Sequence, residues 1–395
     1  MANKSDLSKN QYMLTGKLRE KGYDWWWHSL TAIEKETGKE RPFFIEYYLC
    51  NPGLMEEDVI LGQHPDRKKD LKKPSYMMVK AGWWGENADQ LHRFIPWSKV
   101  QINSDNHLDL AAEDCLCTET QIKGSVAVSE EEAKKHPEYM CGSGNMEWDL
   151  AVDKKIAFNV GYGSSPIFRK MNAFEMFWHA EGMKTAYSGT IKLNGKDYLV
   201  SPENCYGYAD KNWGSDFTSP WVWLASNNLE SNITGDKLNN SAFVIGGGRP
   251  KIFGMPLNRK LLSNIHYEGQ DYEFNFSKFW TFCQTEFNCA ISEHQIDWYV
   301  RQETLKHIYE LYATCEKKDM LLLNYEAPNG LKLHNNLYNG GNGVGNMQLY
   351  KKDKNERQLI DSINAKNIGC EYGEYDKENK PKTKVLRNNY RIRPV

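Results

Sequence analysis

The chain has 395 residues, 26% of them charged, and a formal net charge of −2, which argues against a general nucleic-acid binder because such proteins carry a clear basic excess. Apolar residues make up 40%, enough to bury a large core and too many for a disordered chain. No apolar run nears the roughly 18 residues of a membrane span, the start MANKSDLSKN has no signal-peptide core, and nine scattered cysteines read as reduced thiols, so a cytoplasmic protein of two or three compact units is expected.

Residues 1–19 are polar and read as a flexible arm. Residues 23–28 and 42–49 read as strands joined by a charged loop. Weaker strand patterns cover 75–80, 94–102 and 121–128. Ser129 ahead of Glu130, Glu131 and Glu132 predicts an N-capped short helix, stopped by Pro137. Leu150 and Val152 alternate with charged or small residues, as on a half-buried strand. The clearest local pattern is 190–200, where Ile191, Leu193, Tyr198 and Val200 alternate around Asn194-Gly195. That dipeptide supplies the positive-φ residues of a type I′ turn, so this is a β-hairpin. Further strands are expected at 221–226, 242–245, 272–276, 280–284 and 320–323. Residues 296–315 partly fit a helical face, but their Tyr, Ile and Val content favours two strands. Gly340, Gly341, Gly343 and Gly345 read as a flexible turn.

Two stretches echo one another. Gly22-Tyr23-Asp24 precedes Trp25-x-Trp27, and Gly207-Tyr208-Ala209-Asp210 precedes Trp221-x-Trp223. The echo suggests a β unit over 20–200 and a second over 201–352, divided near Ser201-Pro202. The polar residues 353–395 read as a C-terminal appendage with one helix around 357–365.

With 13 Trp, 22 Tyr and 15 Phe, 13% of the chain is aromatic. Such residues favour strands and also line pockets for apolar ligands. The densest group runs from 174 to 228. It holds Phe177-Trp178-His179, Glu181, Tyr208-Ala209-Asp210-Lys211-Asn212-Trp213 and Trp221-Val222-Trp223. A carboxyl packed among aromatics loses hydration, which favours its protonated form and suits it to general acid chemistry. Asp210-Lys211-Asn212 could equally form a tight turn whose side chains satisfy the backbone. His28, beside Trp27, either lines the same pocket or caps a strand end. Cys115 and Cys117 form a lone pair, and His92, His294, His307 and His334 lack ligand spacing, so no metal is expected. Gly246-Gly247-Gly248 lacks the strand–turn–helix context of a nucleotide loop and suits a strand bend or close backbone approach, so no cofactor is expected either. No Gly-x-Ser-x-Gly elbow is present.

Tyr208-Ala209-Asp210-Lys211-Asn212-Trp213-Gly214, followed by Trp221-x-Trp223, resembles the tocopherol cyclase family of plants and cyanobacteria. Asp24-Trp25-Trp26-Trp27 stands where that family has Glu-Gly-Trp-Tyr, Trp178 stands in its His-Trp segment, and Gly246-Gly247-Gly248 matches a glycine triplet. The resemblance spans roughly residues 20 to 352. The family's usual Glu is Asp210 here, its Gly before the first Trp is Trp25, and His and Trp are reversed at Trp178-His179. The resemblance implies a mainly β fold of two lipocalin-like antiparallel barrels packed together, with few short helices. It also implies a cofactor-independent reaction: an alkene is protonated and a phenol oxygen captures the cation. A hydratase on the same fold, or a lipocalin-like carrier without catalysis, is the alternative. The polar Asp210-Lys211-Asn212 group favours an enzyme, because a carrier needs only apolar lining. Candidate acids are Asp210, Glu181, Asp24 and Glu46, with His179 or Tyr208 as proton relays. Candidate substrate contacts are Trp26, His28, Glu46, Trp178, Lys211, Asn212, Trp213, Trp221 and Trp223. The expected partner is an apolar small molecule, phenolic or prenylated, with no nucleic acid and no integral membrane contact; a homo-oligomer stays open.

Overall fold

A computed structural model describes residues 7–62, 72–103, 107–158, 171, 173–252, 255–256, 258, 260–331, 333–353 and 356–373. Aromatic and β-branched residues are frequent along this length, and the chain answers with antiparallel strands. The first sheet contains β1 (Tyr23–Glu34), β2 (Glu40–Cys50), β3 (Tyr76–Trp83), β4 (Asp89–Ile95), β5 (Val100–Ile102), β6 (Asp109–Ala112), β7 (Cys115–Thr118), β8 (Gln121–Val128), β9 (Gly144–Phe158), β10 (Met176–Leu193), β11 (Lys196–Val200) and β12 (Gly207–Gly214). Their order is β4-β3-β2-β1-β11-β10-β9-β8-β7-β6-β5, and β12 pairs with both β1 and β10. Arg93 on β4 reaches back to β8, where its Nη1 donates to Ser125 O at 3.0 Å, and it also pairs with Asp114 at 2.5 Å. That contact draws the two arms of the sheet together into a barrel.

The second sheet is built from β13 (Trp221–Ser226), β14 (Asn228–Ser231), β15 (Ala242–Gly248), β18 (Lys260–Tyr267), β19 (Gln270–Asn275), β20 (Gln284–Ile291), β21 (Gln295–Glu303), β22 (His307–Glu316), β23 (Leu321–Glu326), β24 (Leu333–Asp353) and β25 (Glu356–Gly373). A small ribbon of β16 (Lys251–Ile252) and β17 (Met255–Pro256) lies between β15 and β18 in the chain. The path is β19-β18-β15-β13-β25-β24-β22-β21-β20, with β14 on β25 and β23 on β24. The single α-helix among the described residues, α1 (Glu130–Lys135), is capped by Ser129, whose side chain accepts from Glu132 N as its sequence predicts.

Alternation along each strand sorts the buried side chains into three layers. Trp26, Ile45, Tyr47, Val79 and Trp148 fill the first barrel. Leu224, Phe243, Ile245, Trp298 and Leu311 fill the second. A third core lies between the sheets, where Tyr23, Trp27, Phe44 and Tyr48 of the first meet Trp223, Val244, Tyr325 and Leu337 of the second.

The hairpin at 190–200 forms with Asn194 at φ 48° and Gly195 at φ 83°, and 296–315 contains the two expected strands, β21 and β22. Other expectations need correction. Pro96 ends the strand read over 94–102, and a 3₁₀ turn separates β4 from β5. Residues 280–284 are not a strand of their own: 280 and 281 end a 3₁₀ turn, 282 and 283 are irregular, and 284 opens β20. The glycines from 340 to 345 sit inside β24, where successive register shifts bend the strand around the barrel; a side chain at 341 would run into the Trp84 ring. Residues 356–373 are no appendage and no helix. They form β25, paired with β13, β14 and β24, because Ile363, Ala365, Ile368, Cys370 and Tyr372 drop into the second core. The chain crosses between sheets after Gly214, beyond the division expected near Ser201-Pro202, since β12 completes the first barrel. The echo between Gly22-Tyr23-Asp24 and Gly207–Asp210 therefore does not mark equivalent units: β12 belongs to the first sheet and Trp221-x-Trp223 to the second. Residues 7–19 are also not a loose arm. Asn10 and Leu14 are fully buried, and Trp26 Nε1 donates to Asn10 O at 2.8 Å.

Candidate functional site

The site follows from strand register. β1 and β12 pair so that Trp25 lies opposite Asn212 and Trp27 opposite Asp210. On β10, Trp178 also lies opposite Asn212. These side chains share the outer face of the first barrel. They line or adjoin a cavity between the two sheets. The second sheet contributes Trp221, Trp223, Tyr325, His334 and Glu371, and the crossover contributes Phe217 and Thr218.

Asp210 is the acid of the first wall. Its Oδ2 accepts from Trp178 Nε1 at 2.8 Å and from Tyr208 OH at 2.9 Å. Its Oδ1 is buried without a hydrogen-bond partner. Burial pushes this carboxyl up to about 8; the Trp178 and Tyr208 donors pull down, and nearby Glu371 adds to the rise. Glu371 is the acid of the second wall. It accepts from Trp221 Nε1 at 2.7 Å and from Asn339 Nδ2 at 2.6 Å. Burial pushes it up to about 7. Glu46 sits deeper in the same layer, 3.3 Å from Lys80 Nζ and accepting from Tyr325 OH at 3.0 Å. Burial raises its carboxyl, against the pull of Lys80. Asn212 accepts from Tyr23 OH at 2.8 Å, which fixes the rim.

The other half of the sequence-predicted set points the opposite way. Asp24, Trp26, His28, His179, Glu181 and Lys211 lie inside the first barrel, because they occupy alternate positions of the same strands. Lys211 ion-pairs with Asp24, and its Nζ lies 3.7 Å from the Trp26 ring centroid. Met13 N donates to Asp24 Oδ2 at 2.7 Å. Burial pushes Asp24 up to about 6 despite the lysine, so it is mostly ionised at pH 7. Lys154 lies 2.9 Å from Glu181 and 2.8 Å from Glu119. Burial drives His28 and His179 down to about 3, so both are neutral; His28 Nδ1 is 2.9 Å from Tyr187 OH. Trp213 stacks on Phe177 at 5.5 Å and does not line the cavity.

Asp210, Tyr208, Trp178, Asn212, Trp221 and Trp223 are thus gathered in or beside the cavity, with Glu46 behind it. Sequence reasoning missed Trp25, Trp27, Phe217, Tyr325, His334 and Glu371 as members. The period-two run of Ile368, Cys370 and Tyr372 was a legible strand pattern that would have turned Glu371 to the opposite face.

A family model described as tocopherol cyclase-like matches residues 118–374. The chain belongs to the tocopherol cyclase-like family. The matched region includes Asp210 and, beyond the residue 352 at which the resemblance was expected to stop, all of β25 with Glu371. No curated protein sequence matches. Among solved structures, a candidate AttH from Nitrosomonas europaea is similar at 10% identity and TM-score 0.47, with 95% of this chain and 98% of that chain covered. Kievitone hydratase from Nectria haematococca is similar at 12% identity and TM-score 0.45, with 94% and 98% covered. No helix among the described residues is long and apolar enough to cross a membrane.

Proposed function

We propose that the cavity between the barrels is an acid-catalytic chamber, in which Asp210 protonates an alkene of an apolar phenolic or isoprenoid molecule and an oxygen nucleophile captures the cation. One observation carries this reading: a buried, uncharged carboxyl faces an aromatic cavity with one oxygen held by two donors and the other unpartnered. Because Oδ2 already accepts twice, the acid proton resides on Oδ1. Transfer of that proton to the alkene leaves a tertiary carbocation and an Asp210 carboxylate. Trp178 and Tyr208 donate more strongly to the carboxylate than to the acid, so they favour the charged state that develops. Trp25, Trp27 and Trp223, which line the cavity, stabilise the cation. The nucleophile's oxygen forms the C–O bond and its proton passes to a carboxylate, either Asp210 itself or Glu371 across the cavity. A substrate phenol closes a ring without redox change; water in the same place gives a hydratase.

The test is incubation with a panel of prenylated phenols in deuterated water. The expected product is an isomer of the substrate in which one hydrogen is replaced by a carbon-bound deuterium, and the Asp210→Asn protein does not form it. Turnover by Asp210→Asn at the wild-type rate would overturn the assignment. A product one water heavier would identify the hydratase branch.

A further inference from the structure

We infer that a second compartment beside the Asp210 cavity binds the carboxylate-bearing end of an apolar molecule, with Lys260 as its counter-ion. The inference rests on reading the Asp210 cavity as the reaction chamber, and it extends that reading to the class of ligand. The compartment adjoins the Asp210 cavity and shares part of its wall. Its existence follows from the glycine triplet at the end of β15. Three consecutive residues of a paired strand carry no side chain there, and a Cβ on Gly246 would come within 2.6 Å of the Trp178 ring. The triplet therefore lets the indole lie against the strand and leaves space beside it. Phe174, Phe177, Trp221, Leu262 and Phe276 supply apolar walls. Met176, Thr218 and Trp221 line both this compartment and the Asp210 cavity. Trp221 and Trp178 meet edge to face at 6.1 Å. Trp178 thus turns its Nε1 to Asp210 while the six-membered part of its ring lies against Gly246 and the compartment.

Lys260 is the one charged side chain among the described lining residues. It makes no ion pair or side-chain hydrogen bond among the described residues. The acids nearby are already engaged: Glu175 lies 3.4 Å from Lys251 and accepts from Thr218 Oγ1 at 3.4 Å, and Glu273 pairs with Lys278 at 2.5 Å. A half-buried cation that lines an aromatic compartment, with no acid paired to it among the described residues, complements an apolar body that ends in an anion. A neutral tail would leave the lysine unpaired.

Farnesoic acid and farnesol share one isoprenoid chain and differ only in the terminal group. Isothermal titration calorimetry should find the acid about tenfold tighter on the wild-type protein, as a partly exposed charge-assisted hydrogen bond provides. Added salt should shrink that advantage. Lys260→Gln should abolish it while leaving farnesol affinity unchanged. Leu262→Trp, which fills the compartment, should weaken both ligands, with the melting temperature reporting that the protein is folded. Equal affinities in the wild type, an acid preference that survives Lys260→Gln, or no binding of either probe would overturn the inference. Asp210→Asn should bind farnesoic acid as the wild type does, so loss of turnover with retained binding concerns Asp210 alone.

Discussion

On the inner side of β12, Lys211 ion-pairs with Asp24 of β1, and its Nζ lies over the Trp26 ring. On the outer side, one residue earlier, Asp210 makes no ion pair among the described residues and is held by two neutral donors. Both acids are buried, and burial raises both. The difference lies in the partner. A cation returns much of the lost hydration energy and keeps Asp24 mostly charged at pH 7, whereas indole and phenol donors leave Asp210 uncharged at that pH. Two acids within one strand pair are thereby assigned to different work. The inner pair fixes the barrel, and the outer acid retains a proton it can give away.

Exchanging the outer acid for its amide is the most severe test of this contrast. Asp210→Asn should lose about 10²–10⁴ in turnover, or roughly 3–5 kcal/mol, with apolar ligand affinity changed little. The inner pair should respond in stability instead. Asp24→Asn leaves Lys211 buried without its counter-ion and should cost about 3–5 kcal/mol of folding free energy in denaturant titration. The double variant Asp24→Asn, Lys211→Met should recover part of that loss. If Asp24→Asn folds normally and only turnover falls, the division of labour is wrong.

Trp178→Phe should lower turnover about tenfold by removing a donor to the developing carboxylate. Its basic limb should move to higher pH, because the indole normally pulls Asp210 down. A limb that stays in place would remove Trp178 from the proton equilibrium.

The smallest effect is on stability against pH. Asp210 is raised from an ordinary value of 3.8 to about 8 in the folded protein. Its contribution to stability is complete below about pH 4 and is lost as pH rises to about 8, because the unfolded chain ionises first. Asp210→Asn carries no such dependence. The melting temperature of the variant relative to the wild type should therefore climb between pH 4 and pH 8, by roughly 2–5 °C. A constant difference would mean that Asp210 is ionised in the fold. Wild-type turnover should fall over the upper part of the same range.

Several features were legible in residues close together in the chain. Asn194-Gly195 between alternating flanks determined the hairpin, because only a type I′ turn matches that pattern and the strand twist. Ser129 ahead of three glutamates determined the N-cap of α1. The Tyr208–Gly214 segment carried the family resemblance, and its aromatic surroundings marked Asp210 as an acid with a raised proton affinity. Tertiary structure decided what no local pattern contains. Neighbours such as Asp210 and Lys211 look like one cluster in the chain, yet successive strand residues point to opposite faces, so half of the predicted set went to the barrel interior and half to the cavity. Glu371 and Tyr325 joined the cavity from strands more than a hundred residues beyond Asp210, through the packing of one sheet's outer face on the other's. Whether each buried acid keeps or gives up its proton then depended on its partner across that packing: Lys211 for Asp24, Trp178 and Tyr208 for Asp210.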